Sequence, residues 1–285
     1  MYILIFIQQL LASGTHIIVK DLTNSLQTPF LLFLRSIIAA LFFIGWILFR
    51  RKKIIKIDKK DIPVFLLLGL INIPINQFLF FVGVHLSTAP NAALAYALTP
   101  AFVLIIAIIF LKESHTWQKI LGIIIAIGGT LIILFEHGVD FSSNYLIGNI
   151  LVLLASFSWA IYTILGKNIA IKYGAMYSTA LSMILGFILF LPIFFILKPP
   201  LDYSSISIFG WSEIIYLGLL SSAVSYGIWF YALTKIEASK VAVFNNLQPI
   251  FTTILAMFFF HQHLTIAFIA GGILILGGVF VTQKG

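Results

Sequence analysis

The chain is 285 residues long, 61% hydrophobic and only 9% charged, with a mean hydropathy of +1.12. Soluble domains carry about 25% charged residues, so this composition excludes a soluble globule, and the formal net charge of +8 reads as a topology signal rather than a nucleic-acid footprint. The absence of cysteine excludes a disulfide framework and a thiolate metal site.

Ten apolar runs of roughly 18–25 residues, the length an α-helix needs to cross a ~30 Å hydrocarbon layer, lie at about 2–19, 30–49, 62–84, 89–111, 117–135, 146–166, 177–197, 212–233, 238–260 and 265–282. The first opens at Met1 with no basic leader and no small-residue cleavage pattern, which predicts a retained helix. The even-numbered connections and the C-terminal tail hold 14 of the 17 basic residues: Arg50, Arg51, Lys52, Lys53, Lys56, Lys59, Lys60, Lys112, Lys119, Lys167, Lys172, Lys235, Lys240 and Lys284. The odd connections hold only Lys20 and Lys198. By the positive-inside rule, both termini and the even connections are expected in the cytoplasm. The run from Arg50 to Lys60 reads as a topology anchor, with contact to anionic lipid headgroups as the alternative.

A polar side chain in hydrocarbon is costly unless it meets a partner or water, so polar stripes at helical spacing point to a wet interior. The first run carries Gln9, Ser13, His16 and Lys20 on one face. In the second, Arg35 lies five residues past Phe30, about 8 Å below the outer boundary at 1.5 Å per residue. With His16 and Lys20 it is expected to form a positive cluster at the outer mouth, serving either a substrate carboxylate or phosphate or as an anchor on backbone carbonyls. The third run places Asn72 and Asn76 around Pro74, whose missing N–H leaves a carbonyl unpaired and bends a helix. The fourth adds Tyr96 and Thr99. The sixth repeats the stripe with Ser156, Trp159, Thr163 and Lys167, beside Tyr162; the eighth offers Ser221, Ser225, Tyr226 and Trp229, and the ninth Asn245 and Gln248. The first, third, fourth, sixth, eighth and ninth helices are therefore expected to enclose a central cavity. The competing reading for a single Ser or Thr is a bond to its own i−4 carbonyl, and for Asn or Gln an interhelical bond worth about 0.6 kcal/mol.

All nine acidic residues (Asp21, Asp58, Asp61, Glu113, Glu136, Asp140, Asp202, Glu213 and Glu237) fall in connections or at run ends, so no carboxylate is expected at mid-membrane to relay protons. His16 is the one group within a run that titrates near neutrality. His261 and His263 are two apart and so not on one helical face, and no metalloprotease His-Glu-x-x-His pattern occurs.

A self-comparison shifted by 149 residues pairs Gly69 with Gly218, Ala89 with Ala238, Pro100 with Pro249, Gly122 with Gly271, Gly128 with Gly277 and Gly129 with Gly278, without a gap. A shift of 147 pairs Lys20 with Lys167 and Leu34 with Leu181. The six glycines at 122, 128, 129, 271, 277 and 278 are expected at close helix contacts. Two copies of a five-helix unit divide the chain at 1–140 and 141–285, and because five is odd the second copy is inverted. Charge follows the inversion: Lys112-Glu113 in an inner connection becomes His261-Gln262, and Leu86 and Asn91 at an outer one become Lys235 and Lys240.

Lys20, Leu34-Arg35, Gly69-Leu70, Ala89, Pro100 and Lys112-Glu113 before a Gly-rich fifth run, with Trp159-Ala160, Lys167, Ala238, Asn245, Gln248-Pro249 and Gly277-Gly278 in the second copy, resemble the EamA unit of the drug/metabolite transporter superfamily over nearly the whole chain. One departure is Gln262, where that family commonly has Glu. The resemblance implies an all-α membrane protein of ten helices in two inverted repeats, in a bacterial cytoplasmic membrane, and not an enzyme. It implies a secondary transporter that exports small metabolites such as amino acids by alternating access, as monomer or homodimer, with import, exchange or drug efflux as alternatives. No cofactor, metal or nucleic-acid partner is expected. A membrane enzyme or a channel is the remote alternative. Substrate contacts are expected from Gln9, His16, Arg35, Asn72, Asn76, Tyr96, Trp159, Tyr162, Ser225, Tyr226, Asn245 and Gln248, and gate flexibility from Pro100 and Pro249.

Overall fold

The computed structural model describes every residue except 51–55, 88, 137–144, 202, 205, 253 and 255–264. Among the described residues there is no strand. The helices are α1 Tyr2–Leu22, α2 Thr28–Phe49, α3 Lys59–His85, α4 in two pieces (Ala89–Ala97 and Thr99–Leu111), α5 Trp117–Glu136, α6 Leu146–Tyr173, α7 Ala175–Leu197, α8 Ile208–Leu233, α9 beginning at Ala238–Ala242, and α10 Ile266–Lys284. Nine of them are, within the described residues, long and apolar enough to cross a membrane. The tenth, α9, tightens to a 3₁₀ turn over Val243–Leu247 and resumes at Gln248. Most of its expected course to residue 260, with His261, Gln262 and His263, lies outside the described residues.

Local chemistry sets the ends. Pro29 and Pro63 occupy the first turns of α2 and of the α-helical part of α3, where the missing N–H costs nothing. Ser207 and Thr265 cap α8 and α10, accepting from the amides of Gly210 at 3.0 Å and Phe268 at 3.1 Å. Lys112 and Lys198 adopt left-handed backbone (φ 54 and 44) where α4 and α7 stop.

The polarity of the bundle is inside out. Ile3, Phe110, Ile147 and Ile273 are each at least 66% exposed, whereas Gln9, Asn72, Thr99 and Ser156 are fully buried. This is the arrangement a hydrocarbon solvent selects, since lipid tails solvate apolar side chains and leave polar ones to pair internally.

Glycine packing follows the repeat. A Cβ at Gly122 would lie 2.6 Å from the Gly278 carbonyl, and one at Gly271 2.6 Å from the Gly129 carbonyl, so α5 and α10 meet backbone to backbone at two levels. The 149-residue shift exchanges these two pairs. Gly128 and Gly277 differ from expectation, because nothing lies within 4 Å of their Cβ positions. One residue along a helix rotates the side chain by about 100°, which turns each away from the seam its neighbour occupies. Elsewhere α3 abuts α7 at Gly69 and Gly186, where a Cβ on Gly69 would lie 2.9 Å from the Gly186 amide nitrogen, and α8 abuts α2 at Gly218, 2.6 Å from Ile38.

Candidate functional site

Two helices are wound wide where they pass the centre. Residues Ile71–Gln77 of α3 and Tyr216–Val224 of α8 form π-helical turns, which overlap when the chain is shifted by 149. Pro74 explains the first in part, since it has no N–H for the α-helical ladder. Asn76, Gln77 and Ser221 within these turns, and Ser225 and Tyr226 just after the second, are the side chains delivered to the centre. The fourth and ninth helices break at matching points, at Leu98 between the two pieces of α4 and over Val243–Leu247 of α9. Pro100 and Pro249 each follow such a break.

Between these helices lies a cavity of about 70 Å³. Its walls are Gln8, Ala12, Thr15 and His16 of α1, Arg35 of α2, Asn76, Gln77 and Phe80 of α3, Tyr96 of α4, Trp159 of α6, Ser221, Ser225 and Tyr226 of α8, and Asn245 and Gln248 of α9. Both sequence halves contribute, and α2 joins the six helices expected.

Hydrogen bonds set much of this wall. His16 Nε2 lies 2.9 Å from Gln248 Oε1, Gln248 Nε2 donates to Gln9 Oε1 at 2.8 Å, and Gln9 Nε2 donates to Asn245 Oδ1 at 2.9 Å. Because an amide oxygen only accepts, the chain requires a hydrogen on His16 Nε2, and in the neutral imidazole Nδ1 is then an acceptor. Gln8 Nε2 donates to Ser225 Oγ at 3.0 Å. Asn76 Nδ2 spans two partners, the Ala155 carbonyl at 2.6 Å and the Tyr96 hydroxyl at 3.1 Å. Three polar atoms of this wall, Gln8 Oε1, His16 Nδ1 and Asn245 Nδ2, are buried without a hydrogen-bond partner among the described residues. An aromatic group completes one side, with Trp159 4.9 Å from Tyr226 edge to face and 5.4 Å from Tyr162 stacked.

Arg35 is 3% exposed. Its Nε donates to Ser222 Oγ at 2.7 Å and its Nη2 to Ser221 Oγ at 3.3 Å, and the guanidinium carbon stands 5.3 Å from the centre of the Phe81 ring. It therefore bonds serine hydroxyls and not the backbone carbonyls of an anchored helix. The expected positive cluster is not assembled. Lys20 Nζ donates to the carbonyls of Ser87 at 2.9 Å and Val84 at 3.1 Å, where it neutralises the carboxyl end of α3, and it does not line the cavity.

Of the expected contact residues, His16, Arg35, Asn76, Tyr96, Trp159, Ser225, Tyr226, Asn245 and Gln248 line the cavity. Gln9 stands one layer behind, holding Asn245 and Gln248. Asn72 points elsewhere and donates to Ser182 Oγ at 3.2 Å on α7. Tyr162 shares a hydrogen bond with the same Ser182 at 2.9 Å, so only its ring supports the wall through Trp159. The α1 stripe is also rotated: Gln8, Ala12, Thr15 and His16 face the cavity, while Ser13 bonds its own turn at the Leu10 carbonyl. The wall residues not expected are Gln8, Ala12, Thr15, Gln77 and Phe80; for the polar three the one signal is adjacency to Gln9, His16 and Asn76.

A second buried polar cluster closes one end of the bundle. Glu113 accepts from Lys167 Nζ at 2.8 Å, the Ala238 amide at 2.6 Å, the Ser239 amide at 3.2 Å and the Ser239 hydroxyl at 2.7 Å. Burial opposes its ionisation, and these donors together outweigh that, holding the carboxyl below its ordinary range. Lys119, fully buried, pairs with Glu237 at 2.8 Å and donates to the Ser114 carbonyl at 2.8 Å. The cluster ties the α4–α5 connection to the end of α6 and the start of α9.

The sequence profile of the EamA-like transporter family matches residues 1–135 and 146–283. The chain belongs to that family. An uncharacterized transporter of Archaeoglobus fulgidus is 26% identical over 284 residues, covering 99% of this chain and 96% of the relative. A probable terminal-alkyne amino-acid exporter of Streptantibioticus cattleyicolor is 25% identical over 79% of this chain and 74% of its own. A crystal structure 17% identical in sequence superposes with a TM-score of 0.81 over 99% of this chain and 96% of the other, which shows a shared fold. This EamA-family member is thus a multi-pass membrane transporter.

Proposed function

We propose that this transporter exports small amino-acid-like metabolites across a bacterial cytoplasmic membrane by alternating access, with two inverted five-helix halves, 1–140 and 141–285, moving about the central cavity. The observation that carries the reading is the cavity itself: residues from both halves surround it, and three of its buried polar atoms have no partner among the described residues. The exchange of the Gly122–Gly278 and Gly129–Gly271 contacts under the repeat, and the paired π turns and breaks, support a two-fold arrangement of the halves. The volume of about 70 Å³ favours a compact solute over drug efflux, since pockets for drug-sized ligands run to roughly 300–1,000 Å³. No carboxylate lines the cavity among the described residues, which favours facilitated or exchange transport over proton coupling through a buried acid. The termini are cytoplasmic on the charge distribution.

Counterflow tests the carrier. Proteoliposomes loaded with an unlabelled amino-acid mixture should accumulate a labelled member of it transiently, and uptake unaffected by internal solute would point to a channel or to no transport. Reporter fusions at Gly285 and Ser204 should report opposite compartments. Agreement between them would refute the ten-span topology.

A further inference from the structure

Among the described residues the buried Lys and Arg side chains are Lys119 and Arg35, and only Lys119 has a carboxylate partner. Lys119, Lys167, Lys172 and Lys240 each pair with Asp or Glu. Arg35 has no carboxylate partner among the described residues, and its neighbours there are two serine hydroxyls, the Tyr226 hydroxyl and the Phe81 ring, all neutral. Neither the second run nor any other holds an acid at its centre. A buried unpaired guanidinium in a membrane protein is costly, and serine hydroxyls return only part of its hydration. Arg35 lines the cavity, so an anion held there would lie against it.

We propose that Arg35 is the anion site of this cavity and determines its specificity, taking the carboxylate of a compact monoanionic or zwitterionic solute. The proposal rests on the reading that the transported solute occupies this cavity. Ser221 and Ser222 fix the guanidinium from one side, and Thr15 shares a 2.6 Å hydrogen bond with Ser221, so the fork is held rigid before a ligand arrives. A planar guanidinium with donors left over matches the two oxygens of a carboxylate. One uncompensated charge and about 70 Å³ suit a single carboxylate better than a phosphate of charge near −2. The remainder of the solute meets Gln8 Oε1 and His16 Nδ1, both without a partner among the described residues, and these would receive the hydrogens of an amino or hydroxyl group, His16 as the neutral imidazole. With its Nε2 committed to Gln248, the neutral ring presents Nδ1 as the acceptor.

The test uses purified full-length protein in detergent and four probes: propionate, glycine, propionamide and inorganic phosphate. Thermal unfolding is followed against probe concentration. Propionate and glycine should raise the unfolding midpoint saturably in the wild type, and propionamide should not. Arg35→Lys should weaken the response roughly 10-fold and Arg35→Gln by roughly 100-fold, the range for losing hydrogen bonds to a charged group. A wild type that shows no saturable response to either carboxylate overturns the proposal, as does an equal response in wild type and Arg35→Gln. Phosphate binding more tightly than both carboxylates overturns the assignment to a carboxylate. Should Arg35→Gln fail to fold, Arg35→Lys decides, and an undiminished response in that variant overturns the site. Carboxylate binding with no counterflow would sink the carrier reading and leave the Arg35 site standing.

Discussion

The two polar clusters buried in this bundle are built to opposite specifications. Around Glu113 four donors converge on one carboxylate, and every contact is charge-assisted. Around the cavity the side chains also bond one another, yet among the described residues Gln8 Oε1, His16 Nδ1 and Asn245 Nδ2 are left over and the Arg35 charge has no carboxylate opposite it. A saturated cluster has nothing to offer a ligand and serves to hold helix ends together. An unsaturated one carries a standing penalty of about 1–3 kcal/mol per buried orphan, which a solute supplying the missing partners would relieve. The difference teaches where to look for function in a membrane bundle: at incomplete hydrogen bonding, more than at polarity alone.

The sharpest way to break this comparison is to remove one side chain from each cluster. Glu113→Ala should cost about 3–5 kcal/mol of stability, because it strands the largely buried Lys167 and two amides, whereas Asn245→Leu, which removes the orphan Asn245 Nδ2 and strands Gln9 Nε2 in its place, should change stability by no more than about 1 kcal/mol. Chemical denaturation of both variants in a defined detergent measures this, and equal losses would erase the distinction. Next in size is the effect on the solute. Trp159→Ala and Asn76→Ala should leave the protein folded, as judged by monodispersity, and weaken binding by about 1–3 kcal/mol. Wild-type transport in both would remove the cavity from the mechanism.

The smallest effect concerns acid. The Glu113 carboxyl is held below its ordinary value of about 4.3, so the folded state gains its ionised form's stability in full above that value. That contribution is lost as the pH falls from about 4.3 through the lower folded-state value. The unfolding midpoint of the wild type should therefore drop more steeply in that acid window than that of Glu113→Gln. Parallel curves would show that the carboxylate contributes no pH dependence.

How much of this was legible beforehand follows a physical division. Spans could be read because lipid demands long apolar runs, and among the described residues nine expected spans correspond to helices. Candidate wall residues could be read where size and polarity coincide, as at Trp159, Tyr226 and Arg35. What failed was rotation. A stripe of Gln9, Ser13, His16 and Lys20 is a sound helical face, but a neighbouring face holds Gln8, Ala12 and Thr15, and only packing against α8 and α9 decides which turns inward. Asn72 was lost for a related reason. Asn72 and Asn76 lie four apart within the π turn over Ile71–Gln77, yet one reaches Ser182 of α7 and the other the cavity, a division that spacing along one helix does not reveal. Lys20 was misjudged because sequence shows a charge but not the carbonyls at the end of α3 that receive it. The role of Glu113 was equally hidden, since its partners at 167, 238 and 239 lie far along the chain.

The chain contains no cysteine, which allows the central claim to be tested on a clean background. Ser225 is 1% exposed and hydrogen-bonded to Gln8 in the cavity wall, whereas Ser182 is fully buried between α6 and α7. Labelling of Ser225→Cys and Ser182→Cys by a hydrophilic thiol reagent in proteoliposomes is the most direct measurement. The account predicts that Ser225→Cys reacts as the carrier cycles, that propionate or glycine slows its reaction saturably, and that Ser182→Cys stays inert. An unreactive Ser225→Cys, or one whose labelling neither solute slows, would contradict it.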